Sequence, residues 1–269
     1  MSEQRPVIGV FDSGFGGLTV LRELLQHMPR ADYLYLGDTA HLPYGSKSQA
    51  AVTRYTQGAI DFLVARGAEL IVIACNTASA LALPLLQQTA AVPLVGVIGP
   101  GAQAAAARAP AGSTALVLAT EATVASHAYA AACEAAGLRA VEKACPLFVP
   151  LVEEGWIEGP ITRQIAEVYL REAMHDCADA PAVIVLGCTH YPLLRTLLQG
   201  CVAASFGAVP IVDSAEATAL HVASMFASSP EGEPTLQFFA TDSAAKFQRL
   251  GARFLGRAID HVTAVDLDA

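Results

Sequence analysis

The feature that most constrains the fold of this chain is a repeated alternation of short apolar runs with polar or glycine-rich turns that lead into helix-period segments. Continuous apolar runs are typical of parallel strands buried on both faces, whereas half-exposed antiparallel strands would alternate. The pattern predicts a short terminal strand and strands at residues 7–11, 33–36, 70–74, 94–97, 114–119, 182–186, 210–212 and 236–240. It predicts helices at residues 18–28, 125–136, 160–177, 192–198, 218–226 and 244–255. We therefore predict an α/β protein with mainly parallel, doubly wound sheets.

A chain of 269 residues is long enough for two α/β domains of modest size. Residues 99–112 combine glycine, proline and a run of alanine, which indicates a crossing between domains rather than a core element. A second crossing is expected near residues 209–214. We therefore predict a discontinuous first domain, residues 1–98 and 210–269, and a second domain, residues 99–209.

Composition excludes several classes of partner. The formal charge is −9, and lysine and arginine are scattered, so no basic surface for nucleic acid is expected. Residues 70–107 carry no charge, but their longest strictly apolar run, residues 90–102, is shorter than the roughly 18 residues that span a bilayer. The opening MSEQRPVIGV has no signal-peptide pattern, so we expect a cytoplasmic protein that does not bind membranes.

Two segments of the chain echo each other. IVIACNTAS, residues 71–79, and IVLGCTHYP, residues 184–192, each place a cysteine and hydroxyl-bearing residues directly after an apolar strand. The echo suggests two similar half-structures that present Cys75 and Cys188 equivalently, although so short a match also arises by chance. Ligands of open α/β sheets bind at the carboxyl ends of the strands, where helix N-termini can stabilise a thiolate. Both thiols are therefore candidate acid/base groups.

The other four cysteines are interpreted as small buried hydrophobic residues; they are Cys133, Cys145, Cys177 and Cys201. In a cytosolic chain all six cysteines are expected to be free thiols. Neither a CxxC pair nor a Cys/His cluster at zinc spacing is present, so no metal is predicted.

Two polar loops follow the first two strands. The loop DSGFGG, residues 12–17, has glycines that allow close backbone approach to an anion, but it matches neither the dinucleotide fingerprint nor the P-loop. Asp12 is either a helix cap or a group that assists a thiol or binds an ammonium. The loop GDTAHLPYGSKS, residues 37–48, is long for a strand-to-helix connection, so Tyr44 and Gly45 are candidate ligand contacts or parts of a turn.

Two further polar residues are candidates for the site. One lies near the second cysteine, and the other lies in a separate acidic motif. His190 follows Cys188 by two residues and is either structural or an auxiliary acid. Glu153, in PLFVPLVEEG, is either a solvated surface residue or a functional carboxylate.

Five motifs in order, FDSGFGGL, GDTAHLPYG, ACNTAS, FVPLVEEG and GCTHYP, resemble those of the bacterial glutamate racemases, and the similarity extends across nearly the entire chain. The resemblance implies two similar α/β domains with the active site in the crevice between them and no cofactor. It implies that Cys75 deprotonates D-glutamate and that Cys188 deprotonates L-glutamate. It further implies a small-molecule substrate, a homodimer and a role in supplying D-glutamate for peptidoglycan synthesis.

Carried over position by position, the resemblance also implies a set of residues around the two thiols. The substrate contacts would be Asp12, Ser13, Tyr44, Gly45, Asn76, Thr77, Thr120, Thr123, Thr189 and His190. Asp12, Glu153 and His190 would assist the cysteines as further catalytic groups. Family members that a peptidoglycan precursor activates carry a long N-terminal extension, and because this chain begins almost at its first strand we do not expect that regulation.

Paired thiols fit an inversion of configuration, because one group must remove the Cα proton from one face while another delivers a proton to the opposite face. Three alternatives remain open from the residues. A racemase of the same design could act on aspartate or a hydantoin, a Cys–His hydrolase would use one thiol as a nucleophile, and a noncatalytic protein could capture an amino acid between two lobes.

Overall fold

The computed structural model describes residues 5–226 and 233–267, so residues 1–4 of the polar lead and the last two residues of the predicted first domain lie outside it. The strands are β1 (Val7–Asp12), β2 (Asp32–Gly37), β3 (Leu70–Ile73), β4 (Leu94–Gly96), β5 (Thr114–Ala119), β6 (Arg139–Ala144), β7 (Val183–Gly187), β8 (Ile211–Asp213), β9 (Leu236–Ala240) and β10 (Thr263–Ala264). The helices are α1 (Leu18–His27), α2 (Gln49–Val64), α3 (Asn76–Leu81), α4 (Leu83–Leu86), α5 (Ile98–Ala106), α6 (Glu121–Ala125), α7 (Ala128–Ala135), α8 (Phe148–Glu153), α9 (Pro160–Asp176), α10 (Arg195–Phe206), α11 (Ser214–Ser224) and α12 (Ala244–Leu255).

The chain forms two compact units. The first comprises Met1–Val97 and Ala215–Ala269, and the second comprises Ile98–Ser214. The first unit is therefore discontinuous along the chain. Its division from the second unit differs from the predicted boundary at residues 209 and 210, because β8 pairs with β7 and so remains with the second sheet.

The first unit contains a six-stranded sheet in the order β10-β9-β2-β1-β3-β4. Every pairing described in it is parallel, and β1 is flanked by β2 and β3. The strands β1 and β3 are buried almost throughout, as expected for a sheet covered on both faces. The predicted α/β class with parallel sheets is confirmed for this unit.

The second unit contains a four-stranded parallel sheet in the order β6-β5-β7-β8. Its first strand along the chain, β5, lies between the second and the third, which is the arrangement of β1 between β2 and β3. The strands β3 and β7 therefore hold equivalent places in their sheets. In this strand order the ligand site is expected where the order reverses, beside the first and third strands.

Several elements have no individually predicted counterpart, among them the helices α2, α3, α4, α6 and α8. Two further differences have a clear physical reason. Residues 98–106 form the helix α5, whose small residues Gly101, Ala102 and Ala105 are buried, rather than an irregular crossing. The strand β6 has no predicted counterpart, because its sequence RAVEKA carries three charged side chains and lies at the edge of its sheet. Charged residues are common on edge strands, where they limit pairing with other chains.

None of the helices in the described parts of the chain combines the length and apolar character needed to cross a membrane.

Candidate active site

The first half-site is built around Cys75, which is separated from the end of β3 by Ala74 alone and immediately precedes α3. Its thiol is 5% exposed and donates a hydrogen bond to the Ser13 hydroxyl, with 3.5 Å between Sγ and Oγ. The backbone N–H of Ala74 donates to the carbonyl of Phe11, so the parallel pairing with β1 continues to the cysteine. The thiol therefore lies on a rigid segment, beside the loop that follows β1.

That loop, residues 12–17, holds a fully buried carboxylate. Asp12 accepts a hydrogen bond from the backbone N–H of Gly14 at 2.9 Å. A Cβ at Gly17 would lie 2.5 Å from the Asp12 Cβ and 2.9 Å from the Ala74 Cβ, so only glycine fits there. The Tyr35 phenol, on β2, donates to the Gly14 carbonyl at 3.1 Å and ties the loop to the sheet.

The loop that follows β2 brings Tyr44 to the same edge of the sheet. Tyr44 is buried, its ring contacts Phe11 with centroids 6.3 Å apart, and its hydroxyl donates to Asp38 at 2.6 Å. Burial raises the pKa of the Tyr44 phenol far above its usual value, and the nearby Asp38 and Cys75 raise it further. The phenol is therefore a neutral hydrogen-bonding group within electrostatic reach of the thiol.

Asn76 and Thr77 form the first turn of α3 and are both almost fully buried. The turn is anchored by Ser79, whose hydroxyl donates to the Ile73 carbonyl at 2.8 Å and accepts from the Val97 N–H at 3.3 Å. A helix start directs backbone N–H groups towards the carboxyl edge of the sheet, an arrangement that suits a carboxylate ligand.

The second half-site is built around Cys188, which directly follows β7 and is 6% exposed. Its Sγ lies 4.0 Å from Nδ1 of His190, and the Thr189 hydroxyl lies 3.4 Å from the same nitrogen. On the other side of the ring, Nε2 of His190 lies 3.4 Å from a carboxylate oxygen of Glu153, at the end of α8. The imidazole therefore lies between the thiol, on its Nδ1 side, and the carboxylate, on its Nε2 side.

Buried tyrosines fix the backbone around Cys188. The Tyr191 hydroxyl can donate to two backbone carbonyls, that of Ala119 at 3.1 Å and that of Cys145 at 2.9 Å. These contacts link the ends of β5 and β6 to the turn after β7. The Tyr129 ring lies against Gly187, where a Cβ would be 2.9 Å from its Cε2. Burial raises the pKa of both phenols, so both remain neutral.

The two predicted threonines lie after β5, next to β7 in the sheet. Thr120 caps α6, where its Oγ1 accepts from the Thr123 N–H at 3.4 Å and lies 2.9 Å from the Thr123 hydroxyl. Thr123 is buried and Thr120 is partly exposed.

The structure thus brings the predicted site residues together in two groups, one in each unit. The first group is Asp12, Ser13, Tyr44, Gly45, Asn76 and Thr77 with Cys75, and the second is Thr120, Thr123, Glu153, Thr189 and His190 with Cys188. Of the four remaining cysteines, Cys133, Cys145 and Cys201 are buried as predicted, whereas Cys177, at the end of α9, is only partly buried. Burial raises the pKa of each of these thiols, to about 11 for Cys133. Within residues 5–226 and 233–267, no group of three or more His, Cys, Asp or Glu side chains is arranged to hold a metal ion.

Three residues that support the site have no counterpart in the sequence interpretation: Asp38, Tyr35 and Tyr191. Asp38 follows a predicted strand, and Tyr191 lies in the GCTHYP motif, so each carried a positional signal. Tyr35 and Tyr191 donate to carbonyls of distant segments, and Asp38 accepts from the distant Thr241 as well as from Tyr44 in its own loop. The distant pairings have no local signature.

Comparison with known proteins identifies extensive similarity. Residues 8–222 match the family model described as Asp/Glu/Hydantoin racemase. A glutamate racemase of Koribacter versatilis is 52% identical, over 99% of this chain and 99% of that protein. The crystal structure of a Francisella tularensis glutamate racemase in complex with D-glutamate superposes with a TM-score of 0.87 at 33% identity, covering 98% of each chain. A glutamate racemase isoform of Bacillus anthracis gives a TM-score of 0.90 at 32% identity, covering 99% of each chain.

Proposed function

Because this chain belongs to the Asp/Glu/hydantoin racemase family, we propose that it interconverts L-glutamate and D-glutamate without a cofactor, with Cys75 and Cys188 as paired acid/bases. It is an isomerase of that family. The observation that carries the two-cysteine mechanism is that each compact unit presents one buried thiol after the equivalent strand of its sheet, β3 or β7.

In the proposed mechanism the two thiols act on opposite faces of the substrate Cα. A thiolate removes the Cα proton from one face, and the opposite thiol delivers its proton to the other face. Cys75 would deprotonate D-glutamate and Cys188 would deprotonate L-glutamate. The two cysteines exchange protonation states at each turnover, so each form of the enzyme accepts one enantiomer.

The energetic obstacle is the Cα–H bond, which is a far weaker acid than a thiol. Each pKa unit of mismatch costs about 1.4 kcal/mol, so stabilisation of the carbanion must supply most of the rate enhancement. We propose that Asn76, Thr77 and Thr189 donate to the substrate carboxylate, where negative charge develops as the proton leaves. Their position at the carboxyl edges of the two sheets, beside the cysteines, supports this role.

The supporting groups differ between the two thiols. Ser13 accepts the Cys75 hydrogen bond, and Asp12 is buried in the same loop. His190 and Glu153 form a chain that leads away from Cys188, which would let the imidazole take up the thiol proton. We propose that Asp12, Glu153 and His190 assist the two cysteines, and that Ser13, Tyr44, Gly45, Thr120 and Thr123 complete the substrate contacts.

The test is incubation of the reduced protein, free of pyridoxal phosphate, with L-glutamate or D-glutamate in D2O, followed by chiral separation and mass measurement. The proposal predicts inversion of both enantiomers, with product that carries one deuterium at Cα. Folded protein that causes neither inversion nor exchange would overturn it. Binding of glutamate without exchange would indicate the noncatalytic alternative, and faster turnover of aspartate or a hydantoin would reassign the substrate.

We further propose that the enzyme is a cytoplasmic homodimer that supplies D-glutamate for peptidoglycan synthesis. Family membership supports this role, because relatives at 40 to 52% identity are named glutamate racemases. Expression of the chain should rescue growth of a bacterial strain that requires external D-glutamate, whereas the Cys188→Ser variant should not. Light scattering during gel filtration tests the dimer.

A further inference from the structure

Asp38 is a fully buried carboxylate outside the set of residues assigned to catalysis or substrate binding. It directly follows β2 and collects three side-chain partners. The Tyr44 hydroxyl donates to its Oδ2 at 2.6 Å, the Thr241 hydroxyl donates to its Oδ1 at 2.8 Å, and Nδ1 of His41 lies 2.9 Å from Oδ1. A buried carboxylate with this many partners fixes their positions, because losing any one leaves a charge poorly solvated.

The partners come from two distant parts of the chain. His41 and Tyr44 belong to the loop at residues 38–48, whereas Thr241 follows β9 near the end of the chain. The parallel pairing of β2 with β9 matches Gly37 to Ala240, and so places residues 38 and 241 side by side.

A second layer of hydrogen bonds continues the link between these segments. The Ala40 N–H donates to the Thr241 hydroxyl at 2.9 Å, and the Asp242 N–H donates to the Thr39 hydroxyl at 2.9 Å. The Thr39 hydroxyl in turn donates to the Asp242 carbonyl. The start of the loop is therefore clamped to the segment that follows β9.

The other end of the same loop packs against the Cys75 half-site. A Cβ at Gly14 would lie 2.9 Å from Leu42, so the loops after β1 and β2 are in direct contact. Tyr44 packs on Phe11 in the core cluster that also contains Cys75. A displacement of the Asp38 network would therefore be transmitted to Tyr44, and through Leu42 to the loop that carries Asp12 and Ser13.

We propose that Asp38 is a positioning residue, which holds Tyr44 and Gly45 in place for the substrate and is itself held by Thr241. It acts through Tyr44 and does not contact the substrate. This inference rests on the proposed function for its kinetic consequence. Its structural consequence, an ordered loop at residues 38–48, does not depend on which substrate is turned over.

The kinetic test compares Asp38→Asn and Thr241→Val with the wild type. Asp38→Asn should raise KM for glutamate about tenfold and change kcat much less, because a charge-assisted hydrogen bond that orders a binding loop is lost. Thr241→Val, which removes both the donor to Asp38 and the acceptor of the Ala40 N–H while keeping side-chain size, should raise KM severalfold. Thr53→Val is the matched control, because the Thr53 hydroxyl is buried and neither donates nor accepts a hydrogen bond within the described residues. The KM of this variant should equal that of the wild type.

A double-mutant cycle tests whether Asp38 acts through Tyr44. If it does, Asp38→Asn should raise KM far less in the Tyr44→Phe background than in the wild type. Equal effects in both backgrounds, or an unchanged KM in a folded Asp38→Asn protein, would overturn the inference. If Asp38→Asn does not fold, Thr241→Val alone decides, and a KM equal to that of Thr53→Val would count against the proposal.

A proteolysis experiment separates this inference from the proposed function. Lys47 lies in the loop, so limited trypsin digestion should cleave after it faster in Asp38→Asn and Thr241→Val than in Thr53→Val or the wild type. Faster cleavage in a protein that does not racemise glutamate would refute the proposed substrate and support the positioning role. Unchanged cleavage, together with unchanged KM in an active racemase, would refute the positioning role alone.

Discussion

The Cys75 and Cys188 half-sites occupy the same place in their sheets but surround their thiols differently. Cys75 contacts a hydroxyl, on a loop that follows a neighbouring strand and that carries the fully buried Asp12. Cys188 faces an imidazole two residues along the chain, which in turn lies 3.4 Å from the partly exposed Glu153. The sheet topology therefore fixes where each thiol lies, while the loops decide which polar groups surround it.

This difference suggests that the two proton transfers are served by different chemistry. An imidazole beside a carboxylate can take up a proton from a neighbouring group and return it. A serine hydroxyl beside a buried carboxylate can instead orient a thiol and tune its environment. The two half-sites should therefore respond differently to substitution.

The largest effect is expected from removing either thiol. Cys75→Ser and Cys188→Ser should each reduce racemisation by roughly a thousandfold or more, because a positioned acid/base is lost. Each variant keeps one base, so Cys75→Ser should still exchange the Cα proton of L-glutamate in D2O without inverting it, and Cys188→Ser should do the same with D-glutamate. NMR of each enantiomer measures the exchange.

Cys201→Ser is the control for those variants, because it makes the same change at a buried thiol that contacts Arg163 at 3.6 Å. Its activity should match that of the wild type. Full racemase activity in either Cys75→Ser or Cys188→Ser would rule out the paired-thiol mechanism, and exchange of the opposite enantiomer would reverse the assignment of faces.

A smaller effect is expected from the groups that assist each thiol. His190→Asn and Asp12→Asn should each lower kcat by roughly 10- to 100-fold, and Glu153→Gln by less than tenfold, since Glu153 is partly exposed. Because enantiomers have equal free energies in water, kcat/KM must fall equally in both directions. The asymmetry should appear in deuterium isotope effects, which rise for L-glutamate in His190→Asn and for D-glutamate in Asp12→Asn. Identical isotope effects in both variants would remove the distinction between the half-sites.

Substitution of a buried tyrosine in each unit should reveal a difference in the free energy of unfolding rather than in activity. In Tyr35→Phe the Gly14 carbonyl loses the phenol donor, so the free energy of unfolding should fall by about 1–3 kcal/mol. Tyr191→Phe should cost less, about 0.5–1.5 kcal/mol, because both of its acceptors also receive a backbone N–H, from Cys145 and Phe148. Urea denaturation of both variants measures the order, and a larger loss in Tyr191→Phe would contradict it.

The last predicted effect, comparable in size to that of Tyr191→Phe, is an alkaline loss of stability in the second unit, which contains five of the six cysteines. Burial raises the pKa of the Cys133 thiol from 9.0 to about 11. Between these values the unfolded chain releases the proton and the folded chain keeps it, so the stabilisation present below pH 9 is lost as the pH rises. At pH 10 this thiol should account for about 1 kcal/mol.

The measurement is urea unfolding at pH 8 and pH 10, followed by fluorescence of the single tryptophan, Trp156, which reports on the second unit. Cys133→Ala should show a smaller decrease between the two pH values than the wild type. An equal decrease would assign the alkaline effect to other groups.

Much of this architecture was predictable because it depends on local periodicity. The predicted strands at residues 114–119 and 236–240 and the helix at residues 244–255 coincide with β5, β9 and α12. The positions of Cys75 and Cys188 after apolar strands were also readable, because a turn to a helix must follow each buried parallel strand. The strand β6 was not predictable, because its edge position allows charged side chains that interrupt the apolar pattern of a strand.

The sequence alone determined two parallel α/β sheets with one thiol following an equivalent strand in each. The reason is that apolar periodicity and strand ends depend on residues that are neighbours along the chain. Only the tertiary structure decided what surrounds each thiol. The contacts of Asp38 with Thr241 and of Tyr191 with Ala119 join residues far apart along the chain. Such contacts depend on which strands become neighbours in the sheet, and that choice is made by packing of the whole unit rather than by any local signal.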